Sequence, residues 1–422
     1  MFKKYVLPNK LKVLIAPMKE TKAVTALMLV KVGSRYEQKK INGSSHFVEH
    51  LMFKGTPRRP TTQILSQELD SIGADYNAFT SKDHTGYYIK AAVTHLPLLL
   101  DMLSDMLFNS KFEGSEIEKE RGVIIEEINM YEDNPLMYME DLFEETVYGD
   151  HPLGWNIAGP RDVIRKVSRD DLVGYYKRHY QPANMLLVLA GNIPAKARAL
   201  IKKYFSIAPR GKFTAEKFVV AAETQHHSHT RIKHKDTEQV QIALGFPAYS
   251  LFDKRTYPLS LLSVIMGGNM SSRLFINIRE RQGLCYFIRA SVNVFEDTGS
   301  LVVQAGLDKK RIKEAITAIL NELTAVRDNG VTAKELRKAK DYLKGKLILD
   351  LESSENVAGW IGKQELLRKR IISPAEQMKR LEKVTVADIS KVARELLRSD
   401  RANLALIGPY QDAGEFSPLL KL

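Results

Sequence analysis

Two histidines and a glutamate stand close together in Gly43-Ser44-Ser45-His46-Phe47-Val48-Glu49-His50-Leu51-Met52-Phe53-Lys54-Gly55-Thr56. Gly43 and Ser44 offer a helix start, Phe47, Val48, Leu51 and Met52 are apolar at helical spacing, and Gly55 followed by Pro57 offers a stop. On such a helix His46 and His50 lie one turn apart on one face, where two imidazoles can share one metal ion. Glu49 projects to the same side. Being adjacent to His50 it is a poor chelator, and it is better suited to hold a water on the metal. This is the zinc-peptidase arrangement with the glutamate in the reverse order from H-E-x-x-H. The competing readings are core histidines or a solvated face, and the apolar flanks weigh against a solvated face. Catalytic zinc usually takes three protein ligands, so a third must come from elsewhere.

The elements around this helix read as α/β. Strands are predicted at 10–17, 23–32, 75–80, 85–93 and 184–190, and helices at 62–72, 96–108, 115–131, 135–148, 160–166 and 170–180. With 422 residues the chain is long enough for two domains. Hydrophobic residues at 44% and charged residues at 27% are ordinary for a globular protein. The only cysteine is Cys285, which excludes an intrachain disulfide and a thiolate cluster. No apolar run is long enough to span a membrane, and the first residues lack the pattern of a signal or transit peptide. A reducing, cytoplasmic location and no membrane partner are expected. The formal charge of +13 raises the question of nucleic acid. No nucleic-acid motif accompanies it, and the basic residues are scattered along helical stretches such as 334–346 and 368–380. Solvated faces explain that pattern, and no nucleic-acid partner is expected.

The second half repeats the order of the first at an offset of about 213 to 218 residues. The segment 240–245 answers the strand that begins at Ala23, and Asp297-Thr298-Gly299 answers His84-Thr85-Gly86. The helix at 312–326 answers the one near Leu96, and 404–408 answers 186–191. A duplicated α/β unit follows, divided into 1–215 and 216–422, with 209–230 as the linker region. Histidines 226, 227 and 229 sit among polar neighbours there and suit a solvated turn better than a metal site. At the low end of the offset His46, Glu49 and His50 fall on Ser260, Ser263 and Val264. The second half therefore keeps the scaffold without the ligands, and one metal per chain is expected.

Nearly the whole chain, duplication included, resembles the pitrilysin/insulinase family of inverted-motif zinc peptidases, in particular its bacterial branch related to mitochondrial processing peptidase. Besides the His46–His50 motif, Glu120-Arg121-Gly122-Val123-Ile124-Ile125-Glu126-Glu127 resembles the family's second motif. The resemblance implies Glu127 as third zinc ligand, 77 residues beyond His50, and Glu120 as a carboxylate supporting the site from behind the ligands. Glu126 would point about 100° away on a helix. Gly73-Ala74-Asp75-Tyr76-Asn77-Ala78-Phe79-Thr80 resembles the G-x-x-x-N-A-x-T edge strand. In relatives that strand pairs with the substrate backbone, which implies Asn77, Ala78 and Phe79 as peptide-binding residues. Arg279-Glu280-Arg281-Gln282-Gly283-Leu284-Cys285-Tyr286 resembles the R-E-x-x-G-L-x-Y segment, and implies that Arg279 and Tyr286 hold the substrate. Cys285 departs mildly from the small residue usual there, and Gly267-Gly268 resembles a glycine-rich loop of the processing branch.

The resemblance implies an α+β fold of two homologous domains, each a mostly antiparallel sheet packed with helices, forming a clamshell. It implies one Zn2+ per chain and hydrolysis of peptide bonds in extended or unfolded, presequence-like polypeptide. Glu49 would be the general base, with Arg279 and Tyr286 assisting. A homodimer, or a heterodimer with a related chain, is also implied. The alternative is a non-catalytic core or partner subunit of the same fold. Such chains lose ligands of the motif, and here all four key residues are present.

Overall fold

The computed structural model describes residues 2–206, 214–221 and 225–422. Eleven strands among them form two sheets. The first takes β1 (Lys3–Val6), β2 (Lys12–Pro17), β3 (Ala23–Val30), β4 (Asp75–Thr80), β5 (Thr85–Ala92) and β6 (Met185–Gly191), in the order β1-β2-β6-β3-β5-β4. The second takes β7 (His229–His234), β8 (Gln239–Ala248), β9 (Cys285–Val294), β10 (Gly299–Asp308) and β11 (Asn403–Gly408), in the order β7-β11-β8-β10-β9. Every neighbouring pair is antiparallel except β2–β6 and β11–β7. Replacing β2, β6, β3, β5 and β4 by β7, β11, β8, β10 and β9 converts one order into the other. The duplication thus extends to strand pairing, and among the described strands β1 alone has no counterpart.

The central strands are apolar on both faces, so each sheet needs two covers. In the first sheet Val13, Ile15, Val24, Ala26, Met28, Val30, Leu187 and Leu189 join one core with the helices Ser44–Leu51 and Leu96–Asn109. By alternation Leu14, Leu27, Leu29, Leu186 and Val188 face the other way, and they too are at most 3% exposed. Their cover is the helix Ser354–Lys363, which packs on β3 and β6. Its buried positions Ser354, Ala358, Ile361 and Gly362 share one helical face. Gly362 permits the close approach, because a Cβ there would lie 2.8 Å from Leu29 Cδ1. Ser354 and Thr25 hydroxyls bond at 2.8 Å.

The second sheet is built the same way. Val240, Ile242, Leu244, Leu301, Val303, Leu404 and Leu406 enter the large core, while Ala243, Val302, Ala405 and Ile407 meet Met139, Leu142 and Phe143 of the helix Pro135–Tyr148. That helix starts at Asn134, whose side chain accepts from Leu136 and Met137 N–H groups, with Pro135 at its first position. Each sheet therefore takes one cover from the opposite half of the sequence. The compact units comprise 1–128, 156–219 and 348–371, and 129–155, 220–347 and 372–422. A single boundary near residue 215 describes the sheets but not these two helices.

The expected linker, 209–230, lies partly outside the described residues. Within it the Phe218 ring sits under the Arg35 guanidinium at 3.7 Å, and Arg35 also donates to the Val219 carbonyl at 3.2 Å. The helical stretch expected over 368–380 is broken: Lys369 takes φ 54°, and a new helix, Pro374–Glu382, begins after a Ser373 cap. Proline at the first helical position restarts the helix and excludes its continuation through Ser373. No described helix is long and apolar enough to cross a membrane.

Candidate metal centre

The helix Ser44–Leu51 buries Phe47, Val48 and Leu51 and turns His46, Glu49 and His50 to the other side. Its start is unusual. Gly43 takes φ +99°, and a Cβ there would fall 2.5 Å from the Ala158 carbonyl oxygen, so glycine is required. Gly43 has no side chain with which to cap the helix. A remote carboxylate does so instead: Glu37, 4% exposed, accepts from Gly43 N at 2.7 Å, Ser45 N at 2.6 Å and Asn42 Nδ2 at 2.8 Å. Burial pushes the Glu37 carboxyl up to about 7 against the pull of these donors.

Glu127 comes from the helix Gly114–Asp133, which buries Ile117, Glu120, Ile124 and Ile128 along one stripe. Glu126 is exposed. His46 Nε2, His50 Nε2 and Glu127 Oε2 form a nearly equilateral triangle, with edges of 3.3 Å between the imidazoles and 3.6 and 3.5 Å to the carboxylate. Tetrahedral zinc with bonds of about 2.0–2.1 Å to nitrogen requires edges of about 3.3–3.4 Å. Two imidazoles and a carboxylate are also a donor set that zinc accepts, so these residues fit the ion. Among the described residues this is the one cluster of three or more His, Cys, Asp or Glu groups close enough to hold a metal.

The two rings are oriented differently. His50 Nδ1 faces Glu120 Oε2 at 3.0 Å, and Lys54 Nζ holds the other Glu120 oxygen at 2.7 Å. A carboxylate behind a histidine fixes the ring and its tautomer. His46 Nδ1 is buried with no hydrogen-bond partner among the described residues, so no carboxylate fixes that ring from behind. Without metal, burial pushes His46 down to about 4, helped by the neighbouring His50. Burial also acts to lower His50, but the hydrogen bonds its ring donates to Glu120 and Glu127 outweigh it and hold that ring up to about 9. In the metal-free pair a proton is thus favoured on His50 over His46, and a dication binding at both Nε2 atoms competes with it.

Glu49 stands outside the triangle. Burial raises its carboxyl, and the Thr80 hydroxyl, which donates to Glu49 Oε2, opposes that rise. Thr80 ends β4, the last strand of its sheet, so the outer edge of β4 pairs with no described strand. Asn77 is exposed there and accepts from Ala78 N at 2.8 Å. Phe79 is 39% exposed and lies across Gly86, where a Cβ would fall 2.3 Å from its ring.

Arg279 and Tyr286 belong to the other compact unit. Arg279 lies in the π-helical stretch Phe275–Arg281, with its guanidinium 4.6 Å from the Phe275 ring and 5.7 Å from the Tyr286 ring. Tyr286 is 73% exposed, which is incompatible with a packing role. Burial pushes the Cys285 thiol up to about 11, so it is not a thiolate nucleophile. On the counterpart helix, Thr256–Gly267, Ser260 and Ser263 turn their hydroxyls back onto the Thr256 and Ser260 carbonyls at 2.8 and 2.9 Å, and Val264 is buried.

Sequence reasoning passed over Glu37, Lys54 and Thr80. Lys54 follows His50 by four residues, a spacing that marks it. Thr80 closes the edge-strand motif but carried no assigned role. Glu37 has no local signal, because its partners lie five to eight residues downstream.

Comparison with known proteins supplies the family. The model of the insulinase family, peptidase family M16, matches residues 12–161, and that of the M16 peptidase inactive domain matches residues 166–343. An uncharacterised zinc protease of Bacillus subtilis, YmxG, is 35% identical over 410 residues, covering 97% of this chain and 98% of its own length. A protease from Helicobacter pylori of known crystal structure superposes with a TM-score of 0.89 at 26% identity, covering 97% of this chain and 99% of that one. An M16 inactive-domain peptidase structure from Pseudomonas fluorescens gives the same TM-score at 18% identity over 97% and 98%, a likeness of fold. The chain belongs to the pitrilysin/insulinase family, M16, of zinc peptidases.

Proposed function

We propose that this protein is a zinc endopeptidase that cleaves extended or unfolded polypeptide. The observation that carries the reading is the triangle of His46, His50 and Glu127, with Glu49 close by but outside it. A zinc ion bound there supplies Lewis acidity and a water of lowered pKa. Glu49 then acts as base: its carboxylate takes a proton from the attacking water and delivers it to the leaving amine nitrogen. The open edge of β4 accepts an extended backbone by strand addition, which selects unfolded segments over folded ones. Asn77, Ala78 and Phe79 line that edge, and Arg279 and Tyr286 bind peptide as well. The model of the inactive domain covers the half that lacks the ligands, so its match is consistent with one active site per chain.

The test is cleavage of a peptide library by the purified protein with and without chelator, beside Glu49→Gln. Chelator-sensitive cleavage that the variant lacks, with zinc content retained, is expected. Chelator-resistant cleavage, or a Glu49→Gln protein as active as wild type, refutes the proposal.

A further inference from the structure

We infer that Thr80 is a positioning residue for Glu49, and that the turn behind it is built to fix its hydroxyl. The inference rests on the proposed role of Glu49 as proton acceptor. Thr80 donates its hydroxyl proton to Glu49 Oε2, so one carboxylate oxygen is engaged and the other stays available for a water. Glu49 lies on the same helical side as His46 and His50, and although its place beside His50 makes it a poor chelator, an untethered carboxylate there can swing toward a bound metal. That would close the position a catalytic zinc keeps open. A hydroxyl bonded to the far oxygen opposes the swing.

The placement of Thr80 is over-determined. It pairs in register with Thr85 across a turn of four residues, 81–84. Ser81 N bonds the His84 carbonyl at 2.9 Å, and Ser81 Oγ reaches the same carbonyl at 2.8 Å and the His84 ring at 2.9 Å. The segment after β3 clasps the turn from outside, with Ser34 N on the Ser81 carbonyl at 3.1 Å and Arg35 N on the Lys82 carbonyl at 3.2 Å. Gly33 allows this approach, because a Cβ there would lie 2.1 Å from the Ser81 oxygen. Arg35 and Asp83 add an ion pair at 3.0 Å with side chains 0% and 6% exposed. A buried ion pair is a weak source of net stability but a strong geometric constraint. A tight hairpin needs none of these additions. Their joint effect is to fix the end of β4, from which the Thr80 hydroxyl reaches Glu49 on the helix of His46 and His50.

The experiment compares Thr80→Val, which removes the hydroxyl at constant shape, with Thr80→Ser, which keeps it. Kinetics give one readout. Thr80→Val should lower kcat by about 10- to 100-fold, the usual effect of losing an outer-shell partner, with zinc content and KM little changed, and Thr80→Ser should restore it. Infrared difference spectroscopy of the metal-free protein gives the second. The Glu49 carboxylate band, identified by its loss in Glu49→Gln, should move in Thr80→Val and return in Thr80→Ser. If Thr80→Val does not fold, Thr80→Ala removes the same hydroxyl with less bulk and is read instead. Wild-type kcat in the hydroxyl-free variant, an unmoved band, or a serine variant as impaired as valine overturns the inference. A wild-type protein without zinc-dependent cleavage whose Glu49 band still follows Thr80 overturns the proposed function and leaves the positioning contact standing.

Discussion

Replacing Glu37 by alanine should unfasten the first turn of the helix that carries His46 and His50. The substitution leaves the Gly43 and Ser45 N–H groups without their acceptor, while the Asn42 amide keeps its bond to the Asn156 carbonyl at 3.1 Å. Each orphaned backbone donor costs about 1–3 kcal/mol, so the two together cost about 2–6 kcal/mol before any relaxation. The carboxylate is itself expensive to bury, which is why it titrates near 7 in the fold against an ordinary 4.5. A carboxyl raised on folding contributes stability that is fully present below the unfolded value and is lost as pH rises through the folded one. Between pH 5 and pH 8 that contribution falls by about 2.5 kcal/mol. The alanine variant lacks it, so its deficit should be larger at pH 5 than at pH 8 by about that amount. Trp360 lies in the helix covering the first sheet, whereas Trp155 belongs to the other compact unit. Urea unfolding followed by Trp360 fluorescence in a Trp155→Phe background therefore reads the right unit. Chelator competition should show zinc affinity reduced by about 10- to 100-fold, as for other outer-shell losses. A deficit that grows with pH, or one below about 0.5 kcal/mol at both pH values with unchanged zinc affinity, refutes the reasoning.

Residues 1–215 expressed alone should fail to fold, because Leu14, Leu27, Leu29, Leu186 and Val188 lose their cover; at about 1.5–3 kcal/mol each this is about 8–15 kcal/mol, the size of a domain's whole stability. Fusing 348–371 to that fragment should restore cooperative unfolding by circular dichroism, and a cooperative, zinc-loaded 1–215 fragment contradicts this. His84, pushed down to about 3 by burial and by Lys363, stays neutral in the fold, with its ring against the Ser81 hydroxyl and the Phe79 ring. The unfolded chain gains a proton below about 6.5 that the fold does not, so stability falls with pH by about 2 kcal/mol between pH 7 and 5 on this account. His84→Gln should flatten the urea-midpoint profile by that much, and an unchanged slope counts against it. Tyr286→Phe should lower kcat without lowering the melting temperature, since the side chain is exposed; a lost melting temperature with normal turnover reverses that assignment.

The pairing of His46 with His50, the edge strand and the duplication were legible because each has a local signature: an i, i+4 pair of imidazoles, an alternating strand after a glycine, and a recurring order of elements. What was not legible depends on contacts distant in sequence. Strands such as Met185-Leu186-Leu187-Val188-Leu189-Ala190 announce two buried faces but not which helix covers each. The nearest helix in sequence is the natural guess, and for one face of each sheet it is wrong. Glu37 reads as an ordinary charged loop residue until its carboxylate is seen beneath the helix. Thr80 reads as a strand residue until its hydroxyl is seen on Glu49.

The exchange of helices also fixes an order of events during synthesis. The last strand of the first sheet ends at Gly191, and its second cover begins at Ser354, about 160 residues later. At about 5–20 residues per second the ribosome needs about 8–30 s to make that interval. Throughout it, a face of leucines and valine has no partner on its own polypeptide, and transiently exposed apolar surface of this kind is prone to aggregate. The other exchange runs in reverse: the helix Pro135–Tyr148 is made early and waits until β11, ending at Gly408, completes the sheet it covers. Each sheet thus gains its second cover only after a long stretch of further synthesis, and the exposed interval is set by the order of elements along the chain.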